Sequence, residues 1–238
     1  MEQHAKSVAL ITGANKGLGL EIARQLGQKG IAVVLGARQG KAAPPAAALR
    51  AEGLDARAVE LDVTSSADIA ALPAFFESTF GRLDILVNNA GVQLDTGFDT
   101  SPDTLRQVYE ANVIGPYAIM QALLPLLRQA PAGRIVNQSS ILGSLATISA
   151  GQGGRWATPG YTSSKAALNM LTVVLAQHLA DTSIKVNAAH PGWVKTDLGG
   201  DDAPLGVREG ARTAVRLALL PANGPTGGYF HEEETLPW

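Results

Sequence analysis

The 238-residue chain contains no cysteine. That excludes disulfides, thiolate nucleophiles and cysteine-ligated zinc, and it fits a reducing compartment. Long hydrophobic runs are missing too: none approaches the ~20 residues needed to span a bilayer. The opening "MEQHAKSVAL" offers no apolar core for a leader. An excess of either charge is also absent, with 19 Lys and Arg against 21 Asp and Glu for a net charge of −2. Nothing electrostatic therefore points to nucleic acid or a membrane surface. No composition break marks a linker, and no internal repeat occurs. The expectation is a cytoplasmic protein with one domain over residues 1–238, partnered by neither nucleic acid nor membrane.

What the chain does contain is 46% hydrophobic residues, arranged as short β-rich runs alternating with longer helical patterns. The runs "VALIT", "IAVVLGAR", "ARAVELDV", "LDILVNNAG", "GRIVNQSS", "IKVNAAHPG" and "GGYF" read as strands. Helices are expected near 17–29, 42–52, 65–80, 102–128, 158–180 and 206–220. Such alternation implies βαβ units, hence an α/β fold with a parallel sheet covered on both faces. Pro44 and Pro45 suit the first turn of the second helix, with a loop as the alternative.

Gly13, Gly17 and Gly19 follow the first apolar run in "TGANKGLG", with Lys16 among them. Strand, tight turn and helix in that order present backbone N–H groups and a positive helix end to a pyrophosphate. A βα turn that uses glycine only for its positive φ is the alternative. Ligands of a parallel sheet sit beyond the carboxyl ends of its strands. There fall the glycine turn, Asp62, Asn88 to Gly91, Ser139, Ser140 and "HPGWVKT". The helix after the fifth strand opens with "YTSSKAALNM", which sets Tyr161 and Lys165 four residues apart on one face.

In order along nearly the whole chain, these stations resemble the short-chain dehydrogenase/reductase superfamily. They are Thr-Gly-x-x-x-Gly-x-Gly at 12–19, "LDV" at 61–63, "NNAG" at 88–91, Asn112 in "ANVIG", Ser140 in "SSILG", Tyr161-x-x-x-Lys165 and "HPGWVKT" at 190–196. Within the superfamily, "TGANKGLG", "VVLGAR" and "HPGWVKTDLGG" are most similar to the NADPH-dependent carbonyl reductases. The resemblance implies a single Rossmann-type doubly wound domain with a seven-stranded parallel sheet of order 3-2-1-4-5-6-7. It implies that Tyr161 is the acid/base and that Ser140 holds the carbonyl oxygen. Lys165 would lower the phenol's pKa from ~10 and grip the nicotinamide ribose. Asn112 would sit in a disturbed helix turn that holds a proton-relay water. Ser140 is preferred to Ser139 because it stands three before Gly143.

The implied cofactor residues are Gly13, Asn15, Lys16, Gly17, Leu18, Gly19, Arg38, Asp62, Val63, Asn88, Ala90, Gly91, Tyr161, Lys165, Pro191, Gly192, Val194 and Thr196. Where NAD-specific relatives place an acid at the end of the second strand, this chain has Gly36-Ala37-Arg38. Arg38 and Lys16 can approach a 2′-phosphate from two sides, so the cofactor expected is NADP(H). For both, a solvated surface charge is the alternative.

An inserted loop near 144–158 separates Ser140 from Tyr161, and a lid is expected near 193–206. Leu142, Trp156 and Trp193 are the candidate substrate-pocket residues, joined by Ile141, Leu145 and Leu198. The expected reaction is NADPH-dependent reduction of a ketone or aldehyde, a hydrophobic or aromatic carbonyl compound. The alternatives are an NADP-linked alcohol dehydrogenase working in the oxidative direction and a non-catalytic dinucleotide sensor. A homodimer or homotetramer is compatible with the resemblance, with a monomer left open. The tail "HEEETLPW" reads as a solvated charge run, and no metal is expected.

Overall fold

Val8–Thr12 (β1) and Ala32–Ala37 (β2) are buried at every position, the mark of strands covered by helices on both faces. In the computed structural model, which describes residues 6–238, they lie side by side in parallel. Residues 1–5, part of the stretch read above for a leader, lie outside the described residues. The remaining strands are Ala56–Glu60 (β3), Ile85–Asn88 (β4), Arg134–Gln138 (β5), Lys185–Ala189 (β6), Tyr229–His231 (β7) and Glu234–Thr235 (β8). They form one sheet of order β3-β2-β1-β4-β5-β6-β7-β8. Seven strands are parallel, and β8 is an antiparallel addition to the expected seven. It arises because Glu232, at φ 47, helps reverse the chain directly after β7.

The helices are Gly17–Gln28 (α1), Ala43–Ala51 (α2), Ser66–Thr79 (α3), Pro102–Tyr109 (α4), Gly115–Gln129 (α5), Leu145–Ser149 (α6), Pro159–His178 (α7), Val207–Gly210 (α8) and Arg212–Ala218 (α9). Pro44 and Pro45 occupy the first turn of α2, so helix prevails over loop there. Ser65 and Ser101 cap α3 and α4 by accepting the N–H groups of Asp68 and Thr104. The long helix expected over 102–128 is interrupted by a π-helical turn at Glu110–Ile114. There the Asn112 amide clamps Val92, its Oδ1 accepting from the backbone N–H and its Nδ2 donating to the carbonyl, both at 2.8 Å. The helix expected over 206–220 divides into α8 and α9.

Alternation along the strands sorts the core into two layers. Ile11, Leu35, Val87 and Val136 face Ile22, Leu26 and Leu49 on one side of the sheet. Leu10, Val34, Leu86 and Val186 face Leu72, Phe76, Ile119 and Leu123 on the other. Each such side chain contributes roughly 1.5–3 kcal/mol by leaving water. The two layers hold the strand ends in fixed register, and the cleft opens there. Among the described residues, no helix is long and apolar enough to cross a membrane.

Candidate active site

The glycine turn joins the end of β1 to α1 and is laced to the end of β4. Thr12 Oγ1 accepts the N–H groups of Asn89 and Ala90 at 3.0 and 2.9 Å, and Asn89 Nδ2 donates to the Thr12 carbonyl at 2.9 Å. A Cβ on Gly13 would stand 2.9 Å from Ala90 Cα, and the φ of 65 there is one that side-chain-bearing residues rarely adopt. Lys16, at the N-cap of α1, makes no side-chain cap. The first-turn N–H groups are thus free of that competitor, as an anion-binding helix start requires. The cleft beyond these strand ends has a volume of about 1110 Å³.

At its far end stand Ser140, Tyr161 and Lys165. Buried Asp95 accepts the N–H groups of Gly160 and Tyr161 and so anchors the start of α7 beneath the phenol. Gly143 lets the Ser140 segment lie against α7, since a Cβ there would meet Lys165 Cβ at 2.8 Å. Lys165 Nζ donates to the Gln138 carbonyl at 2.9 Å and stands 5.6 Å from the centre of the Tyr161 ring. Burial pushes the Tyr161 phenol up to about 12, with the Ser140 hydroxyl acting in the opposite direction. Burial also brings the Lys165 ammonium down to about 8. For the protein alone desolvation leads, so the phenol lies above its ordinary value, whereas the lowering expected from Lys165 belongs to the site with the oxidised nicotinamide beside it.

Of the residues singled out from sequence, Gly13, Asn15, Lys16, Gly17, Leu18, Arg38, Asp62, Val63, Ala90 and Gly91 line the cleft. So do Ser140, Leu142, Trp156, Tyr161, Lys165, Pro191, Gly192, Trp193, Val194 and Thr196. Three others are placed elsewhere. Gly19 is a packing glycine, because a Cβ would stand 2.5 Å from Asn89 Nδ2. Asn88 projects into the sheet's opposite layer, where its Nδ2 donates to Asn137 Oδ1 at 2.8 Å. Asn112 is fully buried in its clamp on Val92, with Nδ2 also donating to Ser164 Oγ at 3.0 Å. Its amide thus shapes the π turn from behind the cleft.

The inserted segment is folded, as α6 and a 3₁₀ turn over Gly154–Trp156. Leu145 turns outward at 72% exposure, away from the apolar wall expected of it. Trp156 and Trp193 meet across the cleft mouth, with ring centroids 6.1 Å apart. Trp193 Nε1 donates to the Gly199 carbonyl at 2.7 Å, which fixes the start of the lid segment. Lys16, read as a phosphate ligand, is ion-paired with Asp197 on that same segment, both side chains being exposed. The acidic tail is paired as well, Glu232 with Arg212 and Glu233 with Arg216, at 3.7 and 3.6 Å. Among the described residues, no group of three or more His, Cys, Asp or Glu is arranged to hold a metal.

Sequence reasoning missed Asp95, Gln138 and His190. His190 Nδ1 accepts the Ile141 N–H at 3.2 Å, bracing the segment after Ser140. Burial and then the neighbouring His231 bring its pKa down to about 3, so it remains a neutral acceptor. Its place in "HPGWVKT" was the signal available. Asp95 lies in a loop whose pattern carries no comparable signal.

A doubly wound sheet whose strand ends gather a glycine turn at one end of a cleft and a Ser-Tyr-Lys cluster at the other defines a dehydrogenase-type α/β protein. The chain belongs to the short chain dehydrogenase family, whose sequence model matches residues 7–204. It is 34% identical to (−)-isopiperitenone reductase of Mentha piperita, over 96% of this chain and 97% of that one. It is also 34% identical to an NADPH carbonyl reductase 1 of Mus musculus, over 98% and 99% of the two chains. Among solved structures, NADPH-bound carbonyl reductase from chicken fatty liver superposes with a TM-score of 0.87 at 30% identity, covering 98% of this chain and 99% of that one.

Proposed function

We propose that the protein is an NADPH-dependent carbonyl reductase that converts a hydrophobic or aromatic ketone or aldehyde to the alcohol. The observation that carries this reading is the single cleft joining Arg38, at the end of β2, to Ser140, Tyr161 and Lys165, at the ends of β5 and α7. The family relatives named for NADPH support the same cofactor. The residues fit a dinucleotide. Gly13 lets the turn lie against Ala90, where any Cβ would strike, and the start of α1 faces the cleft. Gly17, Asn15, Leu18 and Thr196 would surround the pyrophosphate. Asp62 and Val63 would meet the adenine, and Arg38 the 2′-phosphate. For Lys16 to join Arg38 it must exchange Asp197 for phosphate.

NADPH, when bound, supplies the hydride that reaches the carbonyl carbon. Tyr161 gives the proton to the carbonyl oxygen, and its pKa of about 12 keeps it in the protonated form that a donor needs. Ser140 donates a hydrogen bond to that oxygen as its charge grows. Lys165, charged below about pH 8, stabilises the phenolate left behind. Leu142, Trp156 and Trp193 line the side from which an apolar substrate would enter. Leu198 lies on the same rim.

The same groups run in reverse for alcohol oxidation, so the physiological direction is proposed as reduction by analogy with the reductases it resembles. A non-catalytic sensor would have no use for the Ser140–Tyr161–Lys165 set. Exposed Ile114, Tyr117, Met170 and Val174, on the π turn, α5 and α7, support a homodimer. The cysteine-free composition supports a cytoplasmic location.

The deciding assay is kcat/KM across a panel of carbonyl compounds with NADPH and with NADH. Two charge-assisted contacts to a 2′-phosphate contribute about 3 kcal/mol, so NADPH should be preferred at least ~100-fold. Arg38→Asp should lower NADPH use far more than NADH use. Equal efficiency with the two cofactors would refute the cofactor assignment, and no turnover of any carbonyl would return the sensor reading.

A further inference from the structure

Gln138, the last residue of β5, is 5% exposed. Both ends of its side-chain amide, Oε1 and Nε2, are buried without a hydrogen-bond partner among the described residues. Its neighbours in sequence differ in this respect. Asn137 Nδ2 donates to Thr172 Oγ1 at 2.9 Å, and Ser139 Oγ donates to Asn169 Oδ1 at 2.6 Å. An amide that offers a donor and an acceptor and finds neither in the protein destabilises the fold unless a ligand or ordered water completes it.

The sheet indicates which ligand can reach it. Gln138 pairs in register with Ala189, on the face that carries Val136 and Ala189, which α1 covers over β1 and β2 and α9 covers over β5 and β6. It lines the floor of the cleft, one step below Ser140, and its backbone carbonyl already takes Lys165 Nζ. A dinucleotide laid along the strand ends with its 2′-phosphate at Arg38 passes β1 and β4 before it reaches β5. The half that arrives above Gln138 is the nicotinamide with its ribose. Both carry paired donors and acceptors, the carboxamide as N–H₂ and C=O and the ribose as hydroxyls, which complement a side-chain amide.

We propose that Gln138 is a cofactor-binding residue whose side-chain amide turns toward the cleft and hydrogen-bonds the nicotinamide half of the bound dinucleotide. The turn uses the three side-chain torsions of glutamine. The assignment rests on the nicotinamide cofactor proposed above.

The test compares two ligands that share the 2′-phosphate but not the nicotinamide. Kd values for NADPH and for 2′,5′-ADP are measured by titration calorimetry on the wild type, on Gln138→Met and on Gln138→Leu, with the melting temperature of each ligand-free protein. Loss of one to two hydrogen bonds should raise the NADPH Kd about tenfold. The Kd for 2′,5′-ADP should stay within about twofold, and the ligand-free variants should melt no lower than the wild type, since an unsatisfied amide has been replaced by an apolar side chain of similar size. An unchanged NADPH Kd would mean that the amide serves solvent or the core, and would overturn the assignment. An equal loss for both ligands would overturn it too, as general damage to the cleft. Failure of the wild type to bind NADPH would refute the cofactor reading itself, and this assignment with it.

Discussion

Lys165 offers a test of the site that needs neither cofactor nor substrate. The side chain is 4% exposed, and burial lowers its pKa from 10.5 to about 8. That difference corresponds to about 3 kcal/mol charged against the folded state whenever the ammonium carries its proton. Lys165→Met removes the charge but also the bond to the Gln138 carbonyl, worth roughly 1.5–3 kcal/mol. Near neutral pH the two effects nearly cancel, so the pH dependence is the cleaner readout. Because the folded pKa lies below the unfolded one, the unfolded chain binds more protons between about pH 8 and 10.5. Wild-type stability must therefore rise with pH across that window. Relative to Lys165→Met it should gain about 2 kcal/mol between ~pH 7 and ~pH 9.5. Tyr161 is present in both proteins and largely cancels. Urea unfolding of both at several pH values measures the difference. A gap between the two proteins that stayed flat with pH, or one that moved against the wild type, would refute the buried-charge account.

Other expectations concern the chemistry and its surroundings. Tyr161→Phe should bind NADPH normally yet lose at least ~100-fold in kcat, the usual weight of a general acid; near-normal turnover would remove the phenol from the mechanism. Gly13→Ala should abolish dinucleotide binding, measured by fluorescence titration, because its Cβ would stand 2.9 Å from Ala90 Cα at a φ of 65; an intact Kd would show that the turn can relax. Trp156→Ala should reduce kcat/KM for an aryl ketone while sparing a small sugar-like ketone, and an unchanged ratio would sink the apolar-rim model.

Much of the fold was legible because strands covered on both faces are written as continuous apolar runs. β1, β2, β4 and β5 could be read that way almost residue by residue. β8 could not, since two residues reversed by a positive-φ Glu232 leave no periodic trace. The break in the helix over 102–128 was signalled only by the resemblance, which puts a disturbed turn at Asn112, and not by the pattern itself. Its cause is the amide of Asn112 gripping Val92, 20 positions away, and periodicity reports only local neighbours. The cleft residues carried by strand ends and by Tyr161-x-x-x-Lys165 were visible as spacing. Asp95 and Gln138 were not, because one acts through backbone N–H groups 65 positions distant and the other through what it lacks. Asn88 shows the limit of motif transfer. The pleat sends its side chain into the core and leaves Asn89 at the cleft.

The π turn at Glu110–Ile114 also divides labour within one continuous rod. A π turn carries one more residue than the α turn it replaces, so the segments on either side are out of phase by about 100°. Ahead of it, α4 brings Gln107 to the cleft, and within the turn Asn112 grips Val92 and reaches Ser164. Behind it, Ile119, Met120, Leu123 and Leu127 keep their stripe on the sheet. The offset works as a clutch between the two: substitutions that reshape the catalytic wall need not rotate the core, and substitutions that repack the core need not disturb the wall. Deleting one residue from the turn would engage the clutch, forcing a single phase on both halves and setting their partners in competition.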